Sequence, residues 1–310
     1  MRVYPGAAEG LADAQRLAEG MTHKWAALDL PFGGGKAVLA VARPLAGEKR
    51  RGLLRRYGTL LETLSGSFQT GVDLGMSPAD MAVVGESTRH VHGFDAADGS
   101  TVDPGPYTAR GVLRGMEAAL EAAFGNSDLS GRTILVQGVG DVGLPLARLL
   151  AEAGARLLVS DVVDERADRA AAETGAEVVE PAAVAGTPCD VYAPCAVGGV
   201  IDRDTIPGLA CRVVAGSANV QLTEPADAER LHERGILYAP DYIVNGGGAA
   251  ALGLMALGVE DRPRILAKVD AIGAALREMF REAAERAESP VHAARRRVER
   301  SLARGRGPAA

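Results

Sequence analysis

The chain of 310 residues carries 34 basic and 40 acidic side chains, a formal charge of −6, and 47% apolar residues. That length predicts two domains with ample material for a core, and the negative balance argues against a general nucleic-acid binder. Three cysteines, Cys189, Cys195 and Cys211, are an odd number behind a start that lacks an apolar leader stretch, which predicts reduced thiols and a cytoplasmic protein.

Residues 7 to 66 hold helical patterns such as "AAEGLADAQRLAEGM" and "EKRRGLLRRYGTLLETL" around the apolar segment "KAVLAV", predicting a separate α+β unit. The stretch "HGFDAADGSTVDPGPYTARG" is rich in Gly, Pro, Asp and Ser, and places the domain junction near Thr108. From residue 133 the runs "TILVQGVG", "RLLVSD", "CDVYAPCA", "CRVVAGSAN" and "GILYAPDYIVN" alternate mostly with alanine-rich helical stretches. Strand alternating with helix predicts an α/β fold with a doubly wound, mainly parallel sheet.

After Asn245 the chain reads as helical to its end. The uncharged run "YIVNGGGAAALGLMALGV" is long enough to raise a membrane helix, but its three glycines and Asn245 make it a buried loop and helix instead. The basic tail "RRRVERSLARGRG" reads as a solvated helix end. The expected layout is 1–107, 108–250 for the sheet domain, and 251–310 as helices packing back on the first domain. The histidines give only the close pair His90-x-His92 and no C-x-x-C exists, so no protein-bound metal is expected.

"ILVQGVGDVGLPLARLLAEAGARLLVSD" supplies Gly138-x-Gly140-x-x-Gly143 between a strand and a helix, then a second strand ending at Asp161. The glycines permit a tight turn, close approach of backbone to a pyrophosphate and packing of helix on strand, while the helix N-terminus faces the phosphate charge. Val142 lies in the same turn. Asp161 is placed to accept hydrogen bonds from a ribose diol and to repel a 2′-phosphate, which favours NAD over NADP, with Arg166 and Arg169 nearby as the contrary signal.

Thirty of the basic residues are arginine and only four are lysine, yet "KWAALDLPFGGGK", residues 24 to 36, opens and closes on lysine. An ammonium can lose its proton when burial or a neighbouring cation favours it, whereas a guanidinium cannot, so proton chemistry needs lysine. The segment is not a phosphate loop, because Ala37 follows Lys36 where serine or threonine is required.

Taken in order, "GMTHKWAALDLPFGGGKAVL", "TGVDLGMSPADM", "PGPYTARGV", "VQGVGDVG", "YAPCAVGG", "AGSANVQL" and "YAPDYIVNGGG" resemble the Glu/Leu/Phe/Val amino acid dehydrogenase family, and most closely its compact leucine, valine and phenylalanine members. The resemblance runs from about Arg2 to Gly248. It implies an N-terminal substrate, catalytic and oligomerisation domain followed by a Rossmann-type NAD domain, and reversible oxidative deamination of an L-amino acid to the 2-oxo acid and ammonia in a cleft between them. It implies that Lys24 binds the substrate carboxylate, that Lys36 is the catalytic lysine, and that Asp73 exchanges protons with the substrate amine. Gly33 and Gly34 would leave room for substrate and nicotinamide, Asn245 would lie near the substrate carboxylate, and Thr108 and Asn219 would line the nicotinamide cleft. A homo-oligomer and a small-molecule substrate are implied, with no nucleic acid or membrane partner.

This sequence departs from the family pattern in ways that bear on the pocket. The chain begins where the family normally has several tens of residues behind it, so a shortened N-terminal domain is expected, through a misassigned start or a real truncation. The alternative function is then a truncated, NAD-binding but non-catalytic protein acting through protein interaction. His23 stands where an aromatic is common, and Val72 where a polar residue precedes the aspartate. Gly71, Val72 and Gly273-Ala274-Ala275 are small or apolar, and no basic residue stands out to receive a second carboxylate, which predicts apolar amino acids, branched-chain or aromatic, as substrates.

Overall fold

A computed structural model describes residues 1–92 and 102–305, which form two compact units. Of the described residues, the first comprises 1–23, 32–92 and 102–103, the second 24–31 and 104–305. Residues 93 to 101 of the Gly- and Asp-rich stretch expected at the junction lie outside the described residues. The units part between Asp103 and Pro104, four residues before Thr108, and Pro104 caps the helix that follows.

In the first unit, strand β1 (Arg2–Val3) precedes helix α1 (Ala7–Ala27), whose last residues belong to the second unit. Strand β2 (Ala40–Val41) pairs in parallel with β1. Helix α2 (Gly47–Thr63) leads to β3 (Thr70–Gly71), helix α3 (Pro78–Gly85) and β4 (Val91–His92), with β3 and β4 parallel. Leu54, Tyr57 and Leu61 recur on one face of α2 and bury against Met81 and Val84 of α3. At Gly58 a Cβ would come within 2.6 Å of the Val84 carbonyl oxygen, so glycine is what lets the two helices close up.

The second unit is built on one parallel sheet. Its strands are β5 (Thr133–Gln137), β6 (Arg156–Ser160), β7 (Glu177–Val178), β8 (Val191–Pro194), β9 (Val213–Val214) and β10 (Leu237–Tyr238), in the order β10-β9-β8-β5-β6-β7. Helices α4 (Gly105–Phe124), α5 (Gly143–Glu152), α6 (Asp164–Thr174), α7 (Ala226–Glu233), α8 (Asp241–Val244), α9 (Gly247–Ala256), α10 (Arg262–Arg286) and α11 (Pro290–Gly305) accompany it. The doubly wound α/β expectation holds. The chain runs outward from β5 through β6 to β7, then resumes at β8 on the other side, so β5 flanks the point where the order reverses. In such sheets ligands bind beyond the carboxyl ends of the strands at that point.

Two details differ from the sequence reading. The run "GILYAPDYIVN" contributes only Leu237–Tyr238 as strand, because Asp241–Val244 turns into helix α8 after Pro240. Residues 251–305 fall in the same unit as the sheet, where α10 lies along α4. Gly273, expected to face substrate, is buried in that helix pair. A Cβ there would stand 3.0 Å from the Arg114 carbonyl oxygen, so its smallness serves helix packing.

Candidate active site

Lys36 and Asp73 meet within the first unit. The ammonium donates to Asp73 Oδ2, and the two side chains are 27% and 49% exposed. Asp73 opens the turn between β3 and α3, and its Oδ1 accepts from the Leu74 N–H at 2.6 Å. Gly75 continues that turn at φ +73°. Ser77 then caps α3 in a reciprocal pair with Asp80: Ser77 N–H donates to Asp80 Oδ2 at 2.7 Å, and Asp80 N–H to Ser77 Oγ at 3.2 Å.

Arg50 from α2 fixes this turn from the other side. It donates to both oxygens of the buried Asp80, at 2.6 and 2.7 Å, and to the Gly75 carbonyl at 2.8 Å. These guanidinium hydrogen bonds, working against desolvation, hold the Asp80 carboxyl at about 2. At Asp73 desolvation pushes upward, but the Lys36 charge, its hydrogen bond and the Leu74 N–H together outweigh it, and the carboxyl lies below its ordinary value. The charge brought to Lys36 is Asp73's.

The three glycines before Lys36 have different reasons. At Gly33 a Cβ would meet nothing within 4 Å, which leaves that face open. Gly34 differs from its expected purpose, since a Cβ would fall 2.0 Å from Thr22 Oγ1 and 2.2 Å from the Ala18 carbonyl oxygen, so glycine is demanded by α1. Gly35 is required by the Phe68 ring, 2.8 Å from its virtual Cβ. Gly71 pairs with His92 on β4, and Val72 beyond it is 40% exposed.

In the second unit the loops after β5, β6 and β9 carry the glycine turn, Asp161 and Asn219. Gly138 adopts φ +91°, and its virtual Cβ would strike Ala196 at 2.5 Å. At Gly143 a Cβ would lie 1.8 Å from the Gly138 carbonyl oxygen, so α5 packs onto the turn only without one. Gly140 has open space where its Cβ would project, and Val142 is the residue before the first turn of α5. The arrangement fits a pyrophosphate: a tight turn, an unobstructed backbone at Gly140 and a helix N-terminus beyond.

Asp161, at the end of β6, is 8% exposed and accepts from Val139 N–H at 2.9 Å and Val163 N–H at 3.0 Å, one bond to each oxygen. Each oxygen keeps a lone pair for a diol. Arg169, the contrary signal, is engaged by Glu173 at 2.8 Å.

Asn219, Asn245 and Lys24 form a network in the same unit. Asn219 Oδ1 accepts from Lys24 Nζ at 3.3 Å and from Asn245 Nδ2 at 3.0 Å. The buried Asn245 also donates to the carbonyls of Ser217 and Ala218, at 3.2 and 3.3 Å, while its Oδ1 has no hydrogen-bond partner in the chain. A buried acceptor left open is a place for a ligand donor.

Two supporting residues carried no signal in the sequence reading. Gln221, fully buried, donates to the carbonyls of Gly216 and Ala218, and Asp241 accepts from the N–H groups of Val220 and Gln221. Thr108 lies on α4, where its hydroxyl donates to Pro104 and accepts from Gly248 N–H at 3.1 Å. At Gly247 a Cβ would meet the Tyr107 carbonyl oxygen at 2.1 Å, so the glycine run after Asn245 lets α9 start against α4.

The cysteines are free, and burial pushes the Cys189 and Cys211 thiols up to about 12 and about 11, which leaves them unreactive. Among the described residues no cluster could hold a metal ion, and no helix is long and apolar enough to cross a membrane.

Residues 160–297 match the family model "Glutamate/Leucine/Phenylalanine/Valine dehydrogenase", and residues 1–90 match "Glu/Leu/Phe/Val dehydrogenase, dimerisation domain". The chain is 42% identical over 298 residues to leucine dehydrogenase of Thermoactinomyces intermedius, covering 96% of this chain and 80% of that one. It is 38% identical to phenylalanine dehydrogenase of Lysinibacillus sphaericus, over 97% of this chain and 80% of that one. Among solved structures, L-tryptophan dehydrogenase from Nostoc punctiforme superposes with a TM-score of 0.83 at 36% identity, covering 98% of this chain and 87% of that one. The fold and the glycine turn define a dinucleotide-binding α/β protein. Within that class, the chain belongs to the Glu/Leu/Phe/Val dehydrogenase family. Residues 1–90 are the family's N-terminal domain, as expected for the first part of the chain.

Proposed function

We propose that the chain catalyses NAD-dependent, reversible oxidative deamination of an apolar L-amino acid to its 2-oxo acid and ammonia. The observation that carries this is the contact of Lys36 with Asp73, which places a proton acceptor and a proton donor together in the first unit of a chain from this family. NAD held by the Gly138–Gly143 turn and Asp161 would supply the acceptor for the hydride of the substrate α-carbon. Lys24 holds the substrate carboxylate, which suits an ammonium with several donors. Asp73, kept anionic by its neighbours, accepts a proton from the substrate amine. Lys36, once its own proton has passed to solvent, takes a proton from water as the water oxygen adds to the imine carbon. Asp73 returns a proton to nitrogen, ammonia leaves as the hydroxyl of the adduct gives its proton to the freed Asp73 carboxylate, and the 2-oxo acid remains.

The turn from Gly138 to Gly143 would hold the pyrophosphate and Asp161 the adenosine ribose. Thr108 and Asn219 would face the nicotinamide, with Asn245 fixing Asn219. The first domain, matched as a dimerisation domain, would make the contact of a homo-oligomer. The leucine, phenylalanine and tryptophan enzymes among its relatives support an apolar side chain.

NADH formation assayed over the twenty amino acids tests the reading. Leucine, valine or an aromatic residue should be best, and glutamate as best substrate would overturn it. Separation within the apolar group should be modest, since one methylene discriminates by only ~1–3 kcal/mol. Nucleotide fluorescence should show NADH binding more tightly than NADPH, and the reverse order would remove the role given to Asp161.

A further inference from the structure

The end of helix α1 is held by the C-terminal helix, 270 residues away in sequence. An α-helix leaves its last four carbonyls without intrahelical partners. In α1 these belong to Lys24, Trp25, Ala26 and Ala27. The first three are taken by the following turn: Leu28 N–H donates to Lys24 at 3.1 Å, Leu30 N–H to Trp25 at 3.0 Å, and Asp29 N–H to Ala26 at 3.2 Å. The fourth, Ala27, accepts from Arg297 Nε of α11 at 2.8 Å. The cap is therefore completed by a side chain from the other end of the chain.

Arg297 does more than cap. Its Nη2 donates to Asp29 Oδ2 at 2.8 Å, and Arg304 Nη2 donates to Asp29 Oδ1 at 2.8 Å, so one carboxylate joins two arginines about two turns apart on one face of α11. Asp29 sits at φ +50°, in the left-handed region where glycine is least strained and aspartate is tolerated. A strained position kept by several contacts points to a constraint worth explaining. Beside it Leu28 is buried against Gly246, whose virtual Cβ would lie 2.9 Å from the Leu28 methyl group, next to Asn245. Residues 24 to 31 consequently group with the second unit although the rest of α1 does not. Lys24 begins this clamped segment, with its ammonium 3.3 Å from Asn219 Oδ1.

We propose that Arg297 is a positioning residue for Lys24, with Asp29 and Arg304 as its partners: α11 completes the cap at the end of α1 and thereby holds the Lys24 ammonium beside Asn219. The inference rests on the role proposed above for Lys24 as the group that binds the substrate carboxylate. An isolated exposed ion pair would contribute little. Here the same guanidinium also satisfies an otherwise orphaned helix carbonyl, so its loss loosens the last turn from which Lys24 projects.

Steady-state kinetics with L-leucine and L-phenylalanine, and NADH binding by fluorescence, test this on the full chain. Lys24→Ala should raise the amino acid KM by about tenfold or more, the loss of a charge-assisted hydrogen bond. Arg297→Met, which keeps the apolar stem, should raise KM by about fivefold with kcat and NADH affinity each changed less than about twofold. In the Lys24→Ala background Arg297→Met should add nothing further, because both changes act on one interaction. If Arg297→Met does not yield folded protein, Asp29→Asn, which removes the charge from a backbone it can still adopt, is read against the same expectations.

An unchanged KM in the arginine variant while Lys24→Ala raises it overturns the positioning role and leaves the Lys24 role intact. An equal rise in both backgrounds, or a parallel loss of NADH affinity, identifies a general structural contribution and also overturns it. An unchanged KM in Lys24→Ala removes the role of Lys24 itself and the proposal with it.

Discussion

The two lysine sites are built on opposite principles. Lys36 meets a carboxylate on a half-exposed turn, and what keeps that turn in place is charge: Arg50 on Asp80, and Asp80 on the start of α3. Lys24 meets an amide oxygen that is itself fixed by a buried asparagine, and that loop is held by neutral donors and acceptors from Asn245 and Gln221, with Asp241 as its one anion. Ion pairs near a surface respond to pH and salt, whereas buried amide networks respond to the loss of a single partner. Proton transfer suits the first arrangement and rigid placement of a ligand the second.

The comparison breaks most visibly at Lys36. Lys36→Ala should lower turnover by ~10²-fold or more while leaving NADH affinity unchanged, since the residue serves proton transfer and the glycine turn lies in the other unit. A variant that retained a tenth of the wild-type rate would show that the lysine has another task.

The charged arrangement can be weighed through Asp80. Its carboxyl, at about 2 in the folded chain against an ordinary 3.8, is depressed, so its contribution is complete above pH 4 and is lost as pH falls through 2. The shift corresponds to about 2 kcal/mol in a side chain that is buried. Asp80→Asn should therefore cost about that much at pH 7, and denaturant titrations should bring variant and wild type together by pH 2. A constant gap across that range would assign the stabilisation to shape instead of charge.

The neutral arrangement can be weighed through Asn245. Removing its amide in Asn245→Ala leaves the Ser217 carbonyl without its donor and frees Asn219, a cost of about 1–2 kcal/mol. That cost should stay flat as pH falls from 4 towards 2, the range in which the Asp80 pair loses its contribution. A steep pH dependence would mean that a titrating group shares the network.

Legibility in the sequence followed the range of the interactions. The parallel sheet and the glycine turn were readable because they are local: strand runs, a register of three glycines, and an acid at the end of the next strand. Both lysines stood out because arginine fills nearly every other basic position. The purpose of Gly34 and Gly273 was not readable, because each answers a backbone brought close by folding, Ala18 in one case and Arg114 in the other. Gln221 and Asp241 were missed for the same reason, since their partners are loop backbone groups and no residue pattern marks them. The strand β7, two residues long, lacks the length for an alternating pattern.

The smallest expected effect concerns backbone strain in the loop that presents Asn219. Val220 adopts φ +52°, a conformation that β-branched residues rarely take. It is held there from both sides: its N–H donates to Asp241 Oδ2, and its carbonyl accepts from Gly199 N–H at 2.8 Å. At Gly198 a Cβ would lie 2.2 Å from the Asn219 carbonyl oxygen, so the two loop segments cross too closely for the backbone to relax elsewhere. The valine side chain is 46% exposed, and little apolar burial is forfeited if it is replaced. Val220→Asn keeps both backbone hydrogen bonds and puts in a residue that tolerates this conformation, so it should stabilise the chain by about 1 kcal/mol. Thermal unfolding at pH 7 measures the gain. Because Asn219 keeps its bonds to Lys24 and Asn245, the amino acid KM should stay within twofold, about 0.4 kcal/mol. A lower Tm would mean that Val220 makes an apolar contact worth more than its strain, and a raised KM would mean that the strain itself sets where Asn219 points.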